Sequence, residues 1–433
     1  MGRGSRIMTE LVLQRSEPVL SSPVAGTVTL GPVRDDRATA TAPAAPSRRP
    51  ADVAFALIDT LDGFAALRAE WNALFTAAGR PEQIFQTFAW NWHWSRHYAT
   101  PGRFKKGPRL AIITGRQQGR LVLLMPLVVE RVAGLRQLAW MGEPVSQYGD
   151  VLATPEAAEV ATLADAWRYA VTATRADLAK LRKVRADAVV APLLAHLDAS
   201  ITATEEAPYL DFSRAGDCAT YEATLSAKGR KNRRRHMRRL VERGPVTFER
   251  HSANAEAAQL AGYAVLLKRA WLRTRDQISF AMADDRFLAF FSDIAATPHE
   301  MLGCQVLGLR SVNELGALQI VLECKGQRFL HVAVYASKFE KNGVGGLLLE
   351  RALGDCCKDG MTRLDLLAPR HEYKMEFADG TIQVHDHAVA LTLAGSTYAR
   401  GYLGVRRRLK AAIESMPAPA RRAFSSAIAL VKK

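Results

Sequence analysis

The order of strand-like and helix-like runs constrains this chain more than any single residue does. Val53 to Ile58 reads as a strand. Leu61 to Ala78 reads as an amphipathic helix, with Phe64, Leu67, Trp71, Leu74 and Phe75 at helical spacing, and Thr87 to His97 as a second helix. Three strand-like runs follow, Arg109 to Thr114, Leu121 to Val129 and Leu135 to Trp140, punctuated by Gln117-Gln118-Gly119 and Ala133-Gly134. A helix near Pro155 to Thr172 and a short strand near Asp177 to Leu181 close the series. It then begins again: strand Val246 to Arg250, helices Ala255 to Arg273 and Asp285 to Ala295, strands Cys304 to Arg310, Gly316 to Glu323 and Arg328 to Tyr335, helix Val344 to Lys358, strand Arg363 to Leu367. His387 to Leu393 reads as one more, late strand. Repeated architecture without residue-level repetition predicts an α/β chain of two tandem units, each a mixed sheet flanked by helices, over 51–208 and 209–395. The segment Tyr209 to Arg243 would bridge them.

Composition supports this division. Hydrophobic residues are 48% of the 433, enough for two substantial cores. Residues 1–50 end in ATATAPAAPSRRP, have little to bury, and are expected to be disordered. The net charge of +16 invites a nucleic-acid reading, but its distribution argues otherwise. Lys228 to Arg243 holds nine Lys/Arg against one acid, and Gly401 to Lys433 eight against one. The body is near neutral, with one basic helix and a basic amphipathic tail over 396–433, so no DNA partner is expected. No apolar run reaches bilayer-spanning length, and the first twenty residues lack the apolar stretch of a secretion signal. The expected location is the cytoplasm, with the tail able to lie on the inner face of the membrane. The five cysteines have no metal-like spacing, are read as reduced thiols, and imply no metal.

The sharpest local feature is YASKFEKNGVGGLLLE, Tyr335 to Glu350. An apolar strand ends at Tyr335, a short loop leads to Gly343, Gly345 and Gly346, and an aliphatic helix starts at once. Such a start exposes free backbone N–H groups with positive dipole potential, and glycines let a phosphate approach them. No Lys-Ser/Thr pair follows the glycines, which excludes a nucleotide P-loop. The spacing is not GxGxxG and the turn comes late, after a meander of strands, which disfavours a dinucleotide-binding unit.

Several motifs then align with one family. The half from about Tyr209 to Leu393 resembles the GNAT acetyltransferase domain of the CelD/BcsL type, found in bacterial proteins linked to cellulose and exopolysaccharide synthesis. The resemblance rests on the basic helix SAKGRKNRRRHMRRL (226–240), the turn and strand ERGPVTF (242–248), the glycine turn, Leu364-Asp365-Leu366, and Tyr373-Lys374 followed by Phe377. Phe85-Gln86-Thr87, Trp90, Trp94, Tyr148 and Asp150 match the same family in the first half. It implies two tandem GNAT-like domains, with acetyl-CoA or another acyl-CoA held by Val334, Lys341, Asn342, Gly343, Val344, Gly345, Gly346 and Leu347. The first half lacks clustered glycines and is expected to hold no cofactor. At Glu340 the wider superfamily has Arg or Gln.

Acyl transfer needs a base for the nucleophile, stabilisation of the developing oxyanion, and an acid for the leaving thiolate. Lys374 and Tyr373 are the leading candidates through the resemblance, Lys374 touching the substrate or the acyl carbonyl. His331 has a titration range suited to a base, and Tyr335 ends its strand beside the glycine turn, placed to protonate a thiolate. Asp365, Tyr148, Asp150, Trp90 and Arg230 are candidates for binding substrate; Asp365 could equally face water, and Trp90 could equally be core, sharing a helix face with Trp94. Cys356 and Cys357 lie in the aliphatic helix and are read as core thiols. The implied function is transfer of an acyl group to nitrogen or oxygen of a cell-envelope or exopolysaccharide sugar or its precursor. The alternatives are an aminoacyl-tRNA-dependent transferase, as in tandem relatives of the family, and a non-catalytic accessory protein of a glycan synthase.

Overall fold

The computed structural model describes residues 53–99, 107–214, 226–275, 277 and 279–401. The expectations for residues 1–50 and for most of the basic tail lie outside these. The first half contains β1 (Ala54–Ile58), α1 (Leu61–Ala66), α2 (Arg68–Ala78), α3 (Phe88–Trp94), β2 (Arg109–Gln117), β3 (Arg120–Val132), β4 (Leu135–Trp140), β5 (Leu152–Ala153), α4 (Val160–Thr174), β6 (Leu178–Arg185), α5 (Ala191–His196) and β7 (Ser200–Asp211). The second contains α6 (Ala227–Val241), β8 (Val246–Ser252), α7 (Ala255–Arg273), α8 (Phe280–Ala283), α9 (Asp285–Ala296), β9 (Gly303–Ser311), β10 (Glu314–Cys324), β11 (Gln327–Tyr335), α10 (Val344–Lys358), β12 (Arg363–Asp365), α11 (Glu372–Met375) and β13 (Gly380–Ala390).

The mixed α/β class is as expected, but the strands form one sheet rather than two. Its order is β1-β2-β3-β4-β6-β13-β7-β12-β11-β10-β9-β8, with β5 beside β3. The last strand of each half is exchanged: β13 pairs with β6 of the first half, and β7 pairs with β12 of the second. β13 and β7 pair with each other between them. The boundary drawn at residue 208 therefore falls inside β7. This long strand was not legible in the sequence, because SITATEEAPYLD carries polar side chains on half-covered faces and a proline. The late strand runs 380–390 rather than 387–393 for the same reason: GTIQVHDHAVA alternates polar residues at the junction. The predicted helix Leu61 to Ala78 is two helices, broken at Leu67.

Three cores hold the sheet. On one face α1, α2, α3, α7 and α9 share a single aromatic-rich core that runs through both halves, from Trp71, Phe85 and Trp90 to Phe290, Phe291 and Phe329. On the other face the cores are separate. α4 and α5 cover the first half through Leu163, Trp167 and Leu193; α6 and α10 cover the second through Leu240, Leu347, Leu348 and Cys356. The halves are thus joined by strand exchange and a common core, not by a linker alone.

Each half also opens a wedge. Parallel β4 and β6 pair only at Gln137–Leu138 with Leu178–Ala179, and parallel β11 and β12 only at Gln327–Phe329 with Arg363–Asp365. In the first half the wedge is filled by the chain itself. Gly149 donates its N–H to Lys183 O (3.0 Å), and a Cβ there would lie 2.2 Å from Trp140 Cδ1 and 2.9 Å from Arg182 O. Only glycine fits so close an approach. In the second half, no backbone group among the described residues pairs with β11 beyond Phe329 on the β12 side.

Candidate active site

The open wedge begins at a bulge. Ile320 of β10 faces Val332, and Val321 faces Leu330, so His331 is the extra residue of β11 at the point where β12 parts from it. The bulge turns His331 into the shared core, against Phe85, Trp90, Phe287 and Phe291. Its Nε2 donates to Val145 O (2.6 Å), a residue of the loop that plugs the first wedge. Burial and the charge of Lys183 push its pKa down to about 4. His331 is therefore neutral at physiological pH, with its N–H committed, and clasps the two halves together.

At the far end of the wedge β11 runs into a 3-10 turn, Ser337–Asn342, and then α10. Gly343 caps α10 at φ 64°, a left-handed conformation that glycine adopts without Cβ strain. No side chain caps the helix, and Leu347 N is the first amide bonded back, to Gly343 O (3.1 Å). The amides of Val344, Gly345 and Gly346 are left for an anion, and around Gly346 a Cβ would meet nothing within 4 Å. The basic helix α6 lies alongside: His236 packs on Gly343, Arg243 donates to Asn342 Oδ1 (3.1 Å), and Arg233 pairs with Glu350 (2.7 Å). Arg230 lies one turn before Arg233 on the same helix, and Lys341 is exposed. Val334, Val344 and Leu347 are buried, Val334 in the shared core and the other two beneath α10.

Glu340 does not face the turn as an isolated charge. Arg275, just past α7, pairs with it at 2.5 Å and stacks over Trp271 (3.9 Å). The Tyr335 hydroxyl accepts from Arg275 (2.9 Å) and donates to Glu340 (3.2 Å), so it is engaged on that side.

Lys374 is strongly perturbed. It is only 6% exposed, on α11 past the end of β12, and its Nζ donates to Leu367 O (2.7 Å) and Pro369 O (2.9 Å). Burial, reinforced by the charges of Lys183 and Lys268 against the pull of Asp365, lowers its pKa to about 7. Tyr373 beside it is exposed and stacks on His371.

The first-half candidates are placed otherwise than the sequence suggested. Trp90 is wholly buried, with its indole N–H on Ser146 Oγ (2.9 Å), so it offers no stacking face to a sugar. Asp150 is consumed inside its own half by the amides of Val151, Val189 and Val190 and by Gln83 and Arg80. Asp365 neither faces water nor lies open to substrate. It accepts from the Tyr148 hydroxyl (2.9 Å), Arg185 (3.2 Å) and Leu367 N (2.8 Å), and both it and Tyr148 are buried. This triad ties the first wedge's plug and β6 to the end of β12. Removing one member leaves a buried charge or polar group without its partner, so Asp365→Ala should cost about 3–5 kcal/mol in urea unfolding. A loss under ~1 kcal/mol, in the range of exposed ion pairs, would contradict this role.

Sequence reading missed Lys268, Lys183 and Arg275. Lys268 follows two leucines on α7, and Lys183 sits in the basic run KLRKVR; neither stood out from the many other cations. Cys304, Cys324 and Cys356 are buried thiols pushed up to about 12, which fits core packing rather than a nucleophile. Among the described residues there is no cluster of three or more His, Cys, Asp or Glu able to hold a metal, and no helix is long and apolar enough to cross a membrane.

A sheet opened into a wedge with an uncapped glycine helix start beside it is the setting in which the comparisons with known proteins fall. Residues 227–375 match the acetyltransferase (GNAT) domain family. The structure of FemX shares the fold, with a TM-score of 0.51 at 9% identity over 77% of this chain and 98% of that one. Weaker likenesses include the C-terminal domain of a lysylphosphatidylglycerol synthetase from Agrobacterium fabrum (12% identity, 79% and 96% covered, TM-score 0.47). Another is a tandem GNAT protein from the clavulanic acid biosynthesis pathway (13%, 78% and 98%, 0.43). No curated protein matches the chain in sequence.

Proposed function

We propose that the protein transfers an acyl group from acyl-CoA, bound in the wedge between β11 and β12, to an amine or hydroxyl acceptor. The observation that carries this reading is the open wedge leading to three free amides at the start of α10. It supplies a strand edge without backbone partners for the amide-bearing pantetheine arm and a positive helix end, flanked by α6, for the phosphates. The Arg275–Glu340 pair offsets the Glu340 charge, which would otherwise oppose phosphate there.

Acyl-CoA supplies an acyl group activated as a thioester. Lys374 handles the proton. In its neutral form it donates two N–H bonds to Leu367 O and Pro369 O, which leaves its lone pair for the acceptor's N–H or O–H. The acyl carbon–acceptor bond forms, the carbon–sulfur bond breaks, and Lys374 returns the proton to the departing sulfur, so it ends neutral as it began. His331 and Asp365 act at a distance from this chemistry, by fixing the bulge and the end of β12. The motif resemblance to CelD/BcsL-type proteins supports a sugar or glycan precursor as acceptor, and a site on the inner membrane face.

Calorimetry with acetyl-CoA tests the reading: the folded full chain should bind it, and absence of heat with both acetyl-CoA and longer acyl-CoA would sink it. One observation favours a second reading. The exposed cations of α6 (Lys228, Lys231, Arg234, Arg235, Arg238, Arg239) lie beside the turn and suit a polyanionic donor such as aminoacyl-tRNA. Tight, salt-dependent tRNA binding without acyl-CoA binding would favour it.

A further inference from the structure

Almost every buried or half-buried arginine near the junction of the halves is matched by a carboxylate: Arg80 with Asp150, Arg185 with Asp187 and Asp365, Arg275 with Glu340, Arg328 with Glu323 and Asp359. Three lysines there are not. Lys374 Nζ rests on two backbone carbonyls. Lys268, from α7, donates to Ala333 O (3.0 Å) on the open edge of β11 and lies over Trp271 (4.2 Å). Lys183, from β6, donates to the neutral amide oxygen of Gln147. Lys268 and Lys374 thus cover carbonyls on the two opposite walls of the wedge. In strand order Lys374 lies between the other two.

Lys183 is aimed on purpose by the backbone. It sits at φ +54°, a costly conformation for a residue with a Cβ. It faces a bulge where Arg182 and Lys183 oppose Asp386 alone, and Asp386 Oδ1 accepts its N–H (2.9 Å). The charges of Lys183 and Lys268 both reach Lys374, and burial lowers all three, Lys268 to about 8. Carboxylates draw on them through space, Glu205, Asp386 and Glu143 on Lys183 and Asp365 and Glu205 on Lys374, but the three ammonium groups themselves rest on neutral oxygens. Lys374 thus feels two further cations in a half-dry space, and an oxyanion placed among them would offset that cost.

We infer that the acceptor is anionic: an amine or alcohol bearing a phosphate or carboxylate, which Lys268 and Lys183 hold while its nucleophile faces Lys374. This rests on the acyl-transfer reading for the nucleophile's position, but the oxyanion site can be tested apart from it.

The test is competitive chemical acetylation of lysines in the full chain, read residue by residue by mass spectrometry, with coenzyme A saturating. Inorganic phosphate and malonate are the two probes. One or both should slow modification of Lys268 and Lys183 by about tenfold or more, while Lys228 and Lys231 of α6 stay as reactive as before. Lys268→Gln should shift the protecting concentration at Lys183 upward by about tenfold, and Lys268→Arg should restore it. The stronger probe names the anion class. Equal labelling with and without both probes, or protection that spreads evenly to α6, overturns the inference. Coenzyme A is kept saturating for each variant by its own affinity, measured by calorimetry on the same samples, because Lys268 bonds Ala333 O on the wedge wall where the pantetheine arm is placed. Lost coenzyme A binding in wild type alongside intact protection would count against the acyl-CoA reading, not against the oxyanion site.

Discussion

Gly346→Asp should abolish measurable acetyl-CoA binding while leaving the melting temperature unchanged or slightly raised. The two effects have opposite signs for one reason. A Cβ at Gly346 meets nothing within 4 Å, so the side chain enters open space without disturbing the sheet. A carboxylate in the first turn of α10 interacts favourably with the helix dipole by about 0.3–1 kcal/mol, and an Asp-for-Gly change does not worsen helix propensity. The same carboxylate would occupy the place proposed for the pyrophosphate and repel it by roughly 4 kcal/mol at contact distance near a protein surface, or about a thousandfold in affinity. Gly345 is the poorer position for this test, because a Cβ there would press on Tyr335 Cδ1 at 3.2 Å. Calorimetry and thermal unfolding on the same variant check both halves of the expectation. Full affinity in Gly346→Asp would remove the phosphate role from this turn.

The second large effect concerns Lys374. In the proposed role its active form is the free amine, and its pKa in the unliganded protein is lowered to about 7, so kcat/KM should rise about tenfold per pH unit below 7 and level off above it. Protonation fills the lone pair, so activity should fall on the acid side and not the alkaline side. Lys374→Met should lower kcat by about a hundredfold to ten-thousandfold and flatten that acid limb, with acetyl-CoA affinity little changed. Lys374→Arg keeps a donor but cannot lose its proton, so it should resemble the Met variant in rate. A Lys374→Met enzyme that keeps the same limb near pH 7 would reassign the base.

How much of this was legible beforehand depended on how local each signal was. The glycine turn, its helix and the basic helix could be read because each is set by a handful of consecutive residues: an aliphatic strand, free amides, a left-handed glycine, cations at close spacing. The order of elements was legible for the same reason. The roles of Asp365, Tyr148, Trp90 and His331 were not, because each depends on a partner more than 50 residues away: Arg185 and Tyr148, Asp365, Ser146, and Val145. A polar residue in a strand reads the same whether it faces water or a distant arginine. Lys268 and Lys183 were invisible because what marks them is the lack of a carboxylate partner, and pairing is a property of the folded chain.

By itself, then, the sequence determined a mixed α/β chain with two similar halves and one phosphate-ready helix start in the second. Periodicity and backbone preference act over a few residues, and those are written in order along the chain. Only the tertiary structure decided that β7 and β13 change places to make one sheet, that the chain plugs the first wedge at Gly149 and leaves the second open, and that Lys268 and Lys374 cover carbonyls on the two walls of that opening. Those outcomes depend on which strand edges find each other and on how burial and neighbouring charge act at a point, and both are set only when distant segments are packed together.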